Sequence, residues 1–139
     1  MRLVLVLSCL ASPCAAQPIE YRDFKEIRVA LLPGYQQQEG RSLDSTTGTI
    51  WKDGGVRIEY DIAGVYTDCK SCEWTKSEVW RKKQVVNGQK AVFVFTKSKM
   101  LVVSFPKSHA NFYATVHNEG ELTDVLLMLA TFKGVHTAQ

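Results

Sequence analysis

At 139 residues, 45% of them hydrophobic and 22% charged, the chain is too apolar to be a disordered polymer, and its length fits one domain with a core of its own. Seventeen basic against 14 acidic side chains give a formal charge of +3, a balance that points to no particular partner and gives no reason to expect nucleic acid.

The first sixteen residues read as an export signal. Arg2 supplies the positive start, Leu3 to Ala11 a short apolar run, and Cys14-Ala15-Ala16 the small side chains that a signal peptidase needs, with cleavage expected before Gln17. An apolar run of nine residues falls short of the roughly twenty that span a bilayer, and no later segment is long and apolar enough to span one. A lipid anchor needs a small residue before the modified cysteine, yet Pro13 precedes Cys14. The expected product is an exported protein, periplasmic or secreted, comprising residues 17–139 as a single domain. Loss of Arg2 with the signal lowers the charge from +3 to +2.

In the remaining chain, Arg28 to Leu32 leans apolar and is stopped by Pro33-Gly34, which predicts a short strand. Gln36 to Thr47 is polar and predicts a loop. Val56, Ile58, Tyr60 and Ile62 alternate with Arg57, Glu59 and Asp61, the period of a strand with one wet face; Gly48 to Trp51 and the turn Asp53-Gly54-Gly55 complete a hairpin with it. Ala63 to Glu73 has no sustained period and predicts a connecting loop. Trp74 to Gln84 predicts a strand because Val85 and Val86 run on into Asn87-Gly88, a strong hairpin signal, and then into Lys90 to Thr96. After Lys97-Ser98-Lys99 come a strand from Met100 to Phe105, ended by Pro106, and a second in which Phe112, Ala114 and Val116 alternate with polar residues. The period then changes. Leu122, Val125, Leu126, Leu129 and Phe132 form a helical stripe, with Glu119, Glu121 and Asp124 near its start, Lys133 at its end and Gly134 as its left-handed stop. The expected fold is α+β: an antiparallel β-meander sheet packed by a C-terminal amphipathic helix.

Three segments carry a family resemblance. Val29-Ala30-Leu31-Leu32-Pro33-Gly34-Tyr35, Val86-Asn87-Gly88-Gln89-Lys90-Ala91 and Leu126 to Lys133 are similar to the strand ending in Leu-Pro-Gly-aromatic, a hairpin and the last helix of the PsbP-like fold. That fold is shared by a photosystem extrinsic protein, a Ran-binding nuclear import factor and exported bacterial proteins. The resemblance covers most of the mature chain in outline, without the family's long polar insertions. Its members act chiefly as binding or assembly modules, so it implies a partner rather than a substrate.

Few residues carry chemistry. Cys69-Lys70-Ser71-Cys72 holds two thiols that can close a disulfide or share a metal, and in an oxidising compartment the disulfide is the first expectation. A thiol-disulfide redox protein would use Cys69 to attack and Cys72 to resolve, but β-like flanks and the charges of Asp68 and Glu73 oppose a low thiol pKa. Zinc needs about four ligands, and His109, His117 and His136 show no paired spacing. Glu59 and Asp61 share a strand face, as wet acids on a strand commonly do. No serine sits in a hydrolase elbow, so no catalytic residue, metal set or cofactor is assigned. Basic residues gather between Lys76 and Lys107, with Glu78 the only acid among them. Trp74, Trp80, Arg81, Lys82 and Lys83 form the candidate binding surface, for an anionic polymer, lipid headgroups or an acidic protein; lysines that guard a sheet edge against aggregation are the plainer reading. Three functions follow: an exported, non-enzymatic binding or assembly module whose partner is a protein or envelope component, a thiol-disulfide redox protein, and a carrier of a small apolar ligand between sheet and helix.

Overall fold

A computed structural model describes residues 27–40, 45–62 and 76–134. Seven strands and one helix follow in chain order: β1 (Gln36–Glu39), β2 (Thr46–Trp51), β3 (Ile58–Ile62), β4 (Glu78–Val86), β5 (Gln89–Thr96), β6 (Met100–Phe105), β7 (Ala110–Thr115) and α1 (Glu119–Leu129). The strands form one antiparallel sheet in the order β1-β2-β3-β7-β6-β5-β4. The fold is therefore α+β, one antiparallel sheet with a C-terminal helix.

Two short meanders make this sheet, β1-β2-β3 and β4-β5-β6-β7, joined where β3 pairs with β7. Between β3 and β4 the chain moves from the middle of the sheet to its far edge. A continuous meander would have kept these two strands adjacent.

The strands alternate as their side chains require. Ile50, Ile58, Tyr60, Ile62, Phe93, Leu101, Val103, Phe105 and Phe112 share one face and one core with Val125, Met128 and Leu129 of α1. Phe132, fully buried just beyond α1, lies 4.4 Å from Phe105 and 5.2 Å from Phe112, centroid to centroid. On the opposite face Val92, Val94 and Val102 form a second buried cluster flanked by Met100 and Tyr113. Burial, and then the Asp61 carboxylate, push the Tyr113 phenol above its ordinary pKa. Gly48 is required by its neighbours: a methyl group there would collide with the hydroxyl end of Tyr60, which lies across from it, and with the Gln38 carbonyl.

The helix starts where the sequence offers a cap. Asn118 accepts the Glu121 N–H at 2.9 Å, and the Glu121 carboxylate in turn accepts the His117 N–H at 2.7 Å. That backbone hydrogen bond leads the interactions that lower the Glu121 pKa. The buried stripe is Val125, Met128, Leu129 and Phe132. Leu126, expected in the stripe, is 39% exposed and Met128 takes its place; Val125, Met128, Leu129 and Phe132 are spaced i, i+3, i+4 and i+7, although α1 itself ends at Leu129.

Two expectations for the N-terminal half change. Residues 28–32 form no strand; only isolated bridges mark Ile27 and Ala30, and the segment is held by the turn after α1, with Lys133 N–H donating to Arg28 C=O at 3.0 Å and Ala30 N–H to Thr131 Oγ1 at 2.7 Å. Part of the polar stretch 36–47 is the edge strand β1, with Gln37 opposite Ile50, and its last two residues open β2. The pairing is set by β2, not by any apolar alternation in Gln-Gln-Gln-Glu.

Hydrogen bonds fasten the helix at its middle and just beyond its C-terminus. Asp124 accepts from the Tyr35 hydroxyl at 2.7 Å and from Lys52 Nζ at 3.1 Å. The Tyr35 bond, with a further contribution from Lys52, holds the Asp124 carboxyl below its usual pKa, while burial and Asp124 raise that of Tyr35. A lowered carboxylate pKa stabilises the folded state above its unfolded value of about 4, and that contribution is lost as the pH falls through the folded value. Asp124→Asn is expected to cost about 1 kcal/mol at pH 7 and progressively less as the pH falls below about 4, measured by urea unfolding across that range. Just past the C-terminus of α1, Asn87, in the β4–β5 turn, donates through Nδ2 to the carbonyls of Ala130 at 2.7 Å and Phe132 at 3.0 Å. Asn87→Gly keeps the positive φ and should cost about 1 kcal/mol for the lost bonds; Asn87→Ala adds backbone strain and should cost about 2 kcal/mol by the same assay.

Candidate functional site

The β4–β5 hairpin owes its shape to its turn. Asn87 (φ 47°) and Gly88 (φ 75°) both adopt the left-handed conformation of a two-residue type I′ connection, whose twist matches that of the strands. The resulting register sets Val85 opposite Lys90, Gln84 opposite Ala91 and Lys83 opposite Val92. Alternation then puts Lys83, Val85, Lys90 and Val92 on the face away from α1.

A second element closes the site. After β6, Pro106–Ser108 make a single 3₁₀ turn, stopped by His109 in the left-handed conformation and by the His109 N–H bond to Pro106 C=O at 3.2 Å. Ser108 Oγ hydrogen-bonds Gln89 Oε1 and docks the turn against the start of β5. Lys107 is thereby carried to the hairpin. Lys83, Lys90 and Lys107 line one open cleft of about 840 Å³ with Gln84, Val85, Gln89 and Pro106. Among the described residues none of these three ammonium groups has a carboxylate within ion-pair distance. Elsewhere on the sheet surface Lys52 meets Asp124 at 3.1 Å and Arg57 meets Glu59 at 3.5 Å. Val85, 70% exposed, adds an apolar wall to the cleft.

The residues expected from the sequence are divided by this geometry. Trp80 lies on the helix-side face, stacked on Phe95 with centroids 5.9 Å apart, and Lys82 shares that side. Arg81 and Lys83 point to the opposite face. Arg81 meets Glu78 at 2.9 Å, a pairing that a regular strand would forbid between residues three apart; the bulge at Val79 turns both to one side. Lys83 thus joins the cleft, and Arg81 is engaged locally. Trp74, Cys69 and Cys72 lie outside the described residues, as does His136.

In the sequence Lys90 and Lys107 belong to the basic gathering that also includes Lys76, Lys97 and Lys99 but not to the narrower candidate surface, and Val85 reads only as part of a strand. Only the register and the 3₁₀ turn bring them to Lys83, and the one sequence signal was the general excess of lysine between Lys76 and Lys107.

No family model matches the chain, and no curated protein or solved structure matches it.

Other polar groups form no comparable site among the described residues. A smaller cleft of about 340 Å³ includes Arg57, Glu59, Tyr113, His117 and Glu121, but Glu121 caps α1 and also meets His117 Nδ1 at 3.0 Å. Of the two carboxylates on β3, Glu59 pairs with Arg57 and Asp61 lies across from Asn111. Among the described residues no group of three or more His, Cys, Asp or Glu side chains could hold a metal ion, and no helix is long and apolar enough to cross a membrane. Between sheet and helix, where an apolar cargo would need room, Phe105, Phe112, Met128 and Phe132 are packed at no more than 1% exposure.

Proposed function

We propose that this protein is an exported, non-enzymatic binding or assembly module that holds an acidic partner protein in the lysine-lined cleft at the β4–β5 hairpin. The observation that carries the reading is the gathering of Lys83, Lys90 and Lys107 around one cleft without a carboxylate among the described residues. Three like charges facing one space repel one another and contribute nothing to folding; an acidic ligand turns that repulsion into attraction. The PsbP-like resemblance supports the same class of function.

Titration calorimetry with a glutamate-rich peptide tests it. Binding is expected at low salt and should weaken about tenfold between about 50 and 200 mM salt, because exposed ion pairs are screened over roughly 10 Å. Absence of binding at low salt, or an affinity indifferent to salt, would refute the reading.

A further inference from the structure

We infer that the outer edge of β4 takes up an extended acidic segment of the partner as an eighth, antiparallel strand; this rests on the acidic-partner reading above. β4 is the terminal strand of the sheet and pairs only with β5 among the described residues. At nine residues it is also the longest, and none of its side chains is buried. An edge of this kind offers a row of backbone donors and acceptors to another chain.

The turn decides which groups those are. A two-residue type I′ turn makes Val86 and Gln89 the hydrogen-bonded pair, so Val86, Gln84 and Lys82 bond β5, whereas Lys83 and Val85 direct N–H and C=O away from the sheet. These two residues also line the basic cleft. A strand docked on their backbone would set its own side chains beside Lys83, at the mouth of the space that Lys90 and Lys107 share.

Charge selects the occupant. A second copy pairing antiparallel about the middle of β4 would lay Lys82 and Lys83 against the same lysines, and like charges directly opposite one another destabilise a ladder. An incoming segment with acidic side chains on the cleft side has no such conflict. Exposed Trp80, on the helix-side face, would meet the apolar side chains that such a segment turns away from the cleft.

The full chain should be titrated with a fluorescent nine-residue peptide alternating glutamate and valine, and with two twins, one N-methylated on the glutamates and one on the valines. In a strand, residues whose side chains share a face also share an edge for their N–H groups. Methylation of the glutamates, which face the cleft and bond β4, is expected to weaken binding at least about tenfold, and methylation of the valines less than about threefold. Val85→Pro, which removes one outward N–H and leaves every lysine in place, should weaken the parent peptide about tenfold, against less than about threefold for Val85→Ala. If both twins bind like the parent, strand addition is wrong while the acidic-partner reading stands. If no peptide binds at low salt, both fall. A dimer of the chain alone that Val85→Pro dissociates would also overturn the inference, since the edge would then belong to a second copy.

Discussion

Phe132→Ala is expected to cost about 3–5 kcal/mol of unfolding free energy, the largest loss foreseen for any single substitution in this molecule. Phe132 is fully buried, packs edge-on against Phe112 and tilted against Phe105, and is the last buried hydrophobic side chain among the described residues. Its backbone is held as firmly as its ring. Phe132 N–H bonds Leu129 C=O at 3.1 Å, and Phe132 C=O accepts from Asn87. The surroundings therefore cannot collapse easily into the space the ring leaves, which places the cost toward the upper part of that range. A domain of this size has a stability of roughly 5–15 kcal/mol, so the variant should melt at least about 15 °C lower by calorimetry. Phe132→Leu, which retains most of the volume, should lose less than half as much. Equal losses for the two variants would mean that Phe132 matters for its ring contacts more than for the space it fills.

Simultaneous Lys83→Glu, Lys90→Glu and Lys107→Glu substitutions are expected to weaken binding of a glutamate-rich peptide about 100-fold or more, at about 1 kcal/mol for each altered charge. The folded chain should tolerate them, since none of the three lysines makes an ion pair among the described residues. A second triple variant separates the cleft from net charge. Lys76→Glu, Lys97→Glu and Lys99→Glu change the total charge equally but lie at the opposite end of the sheet, where Lys97 N–H bonds Ser77 C=O at 2.8 Å. That variant should weaken binding less than about fivefold at moderate salt, because screening removes most of the attraction beyond about 10 Å. Similar losses in both variants would mean that overall charge, and not a site, attracts the peptide.

What the sequence reveals of this fold depends on how local the cause is. The turns at Asp53-Gly54-Gly55 and Asn87-Gly88 are legible because a positive φ is needed there, and Gly54, Asn87 and Gly88 supply it. The strands around Ile58 and Phe112 are legible because a buried face opposite a less buried one imposes a period of two. β1 is not, since Gln-Gln-Gln-Glu has no apolar alternation and becomes a strand only through β2. The β3–β7 pairing is equally hidden: it joins residues far apart in sequence, and nothing near Ile58 or Ala114 encodes the other. The helix is clear in existence but not in phase, because Leu126 and Met128 flank the stripe of Val125 and Leu129 on either side and only tertiary packing decides that Met128 is the one buried.

The candidate site shows the same division. A run of basic residues is visible in Arg81-Lys82-Lys83, but strand alternation sends Lys82 to one face and the other two to the opposite face, and the bulge at Val79 gives Arg81 to Glu78. Lys90 reaches Lys83 through hairpin register, and Lys107 through a 3₁₀ turn pinned by Ser108 and Gln89. Neither relation has a sequence period.

The most direct test is a map of backbone amide shifts as the labelled chain is titrated with the alternating glutamate and valine peptide. The largest changes should fall on Lys83, Val85, Lys90 and Lys107, with those on Arg57, His117 and Glu121 small. Changes concentrated on the second group, or spread evenly over the lysines of the surface, would contradict the assignment of this cleft as the binding site.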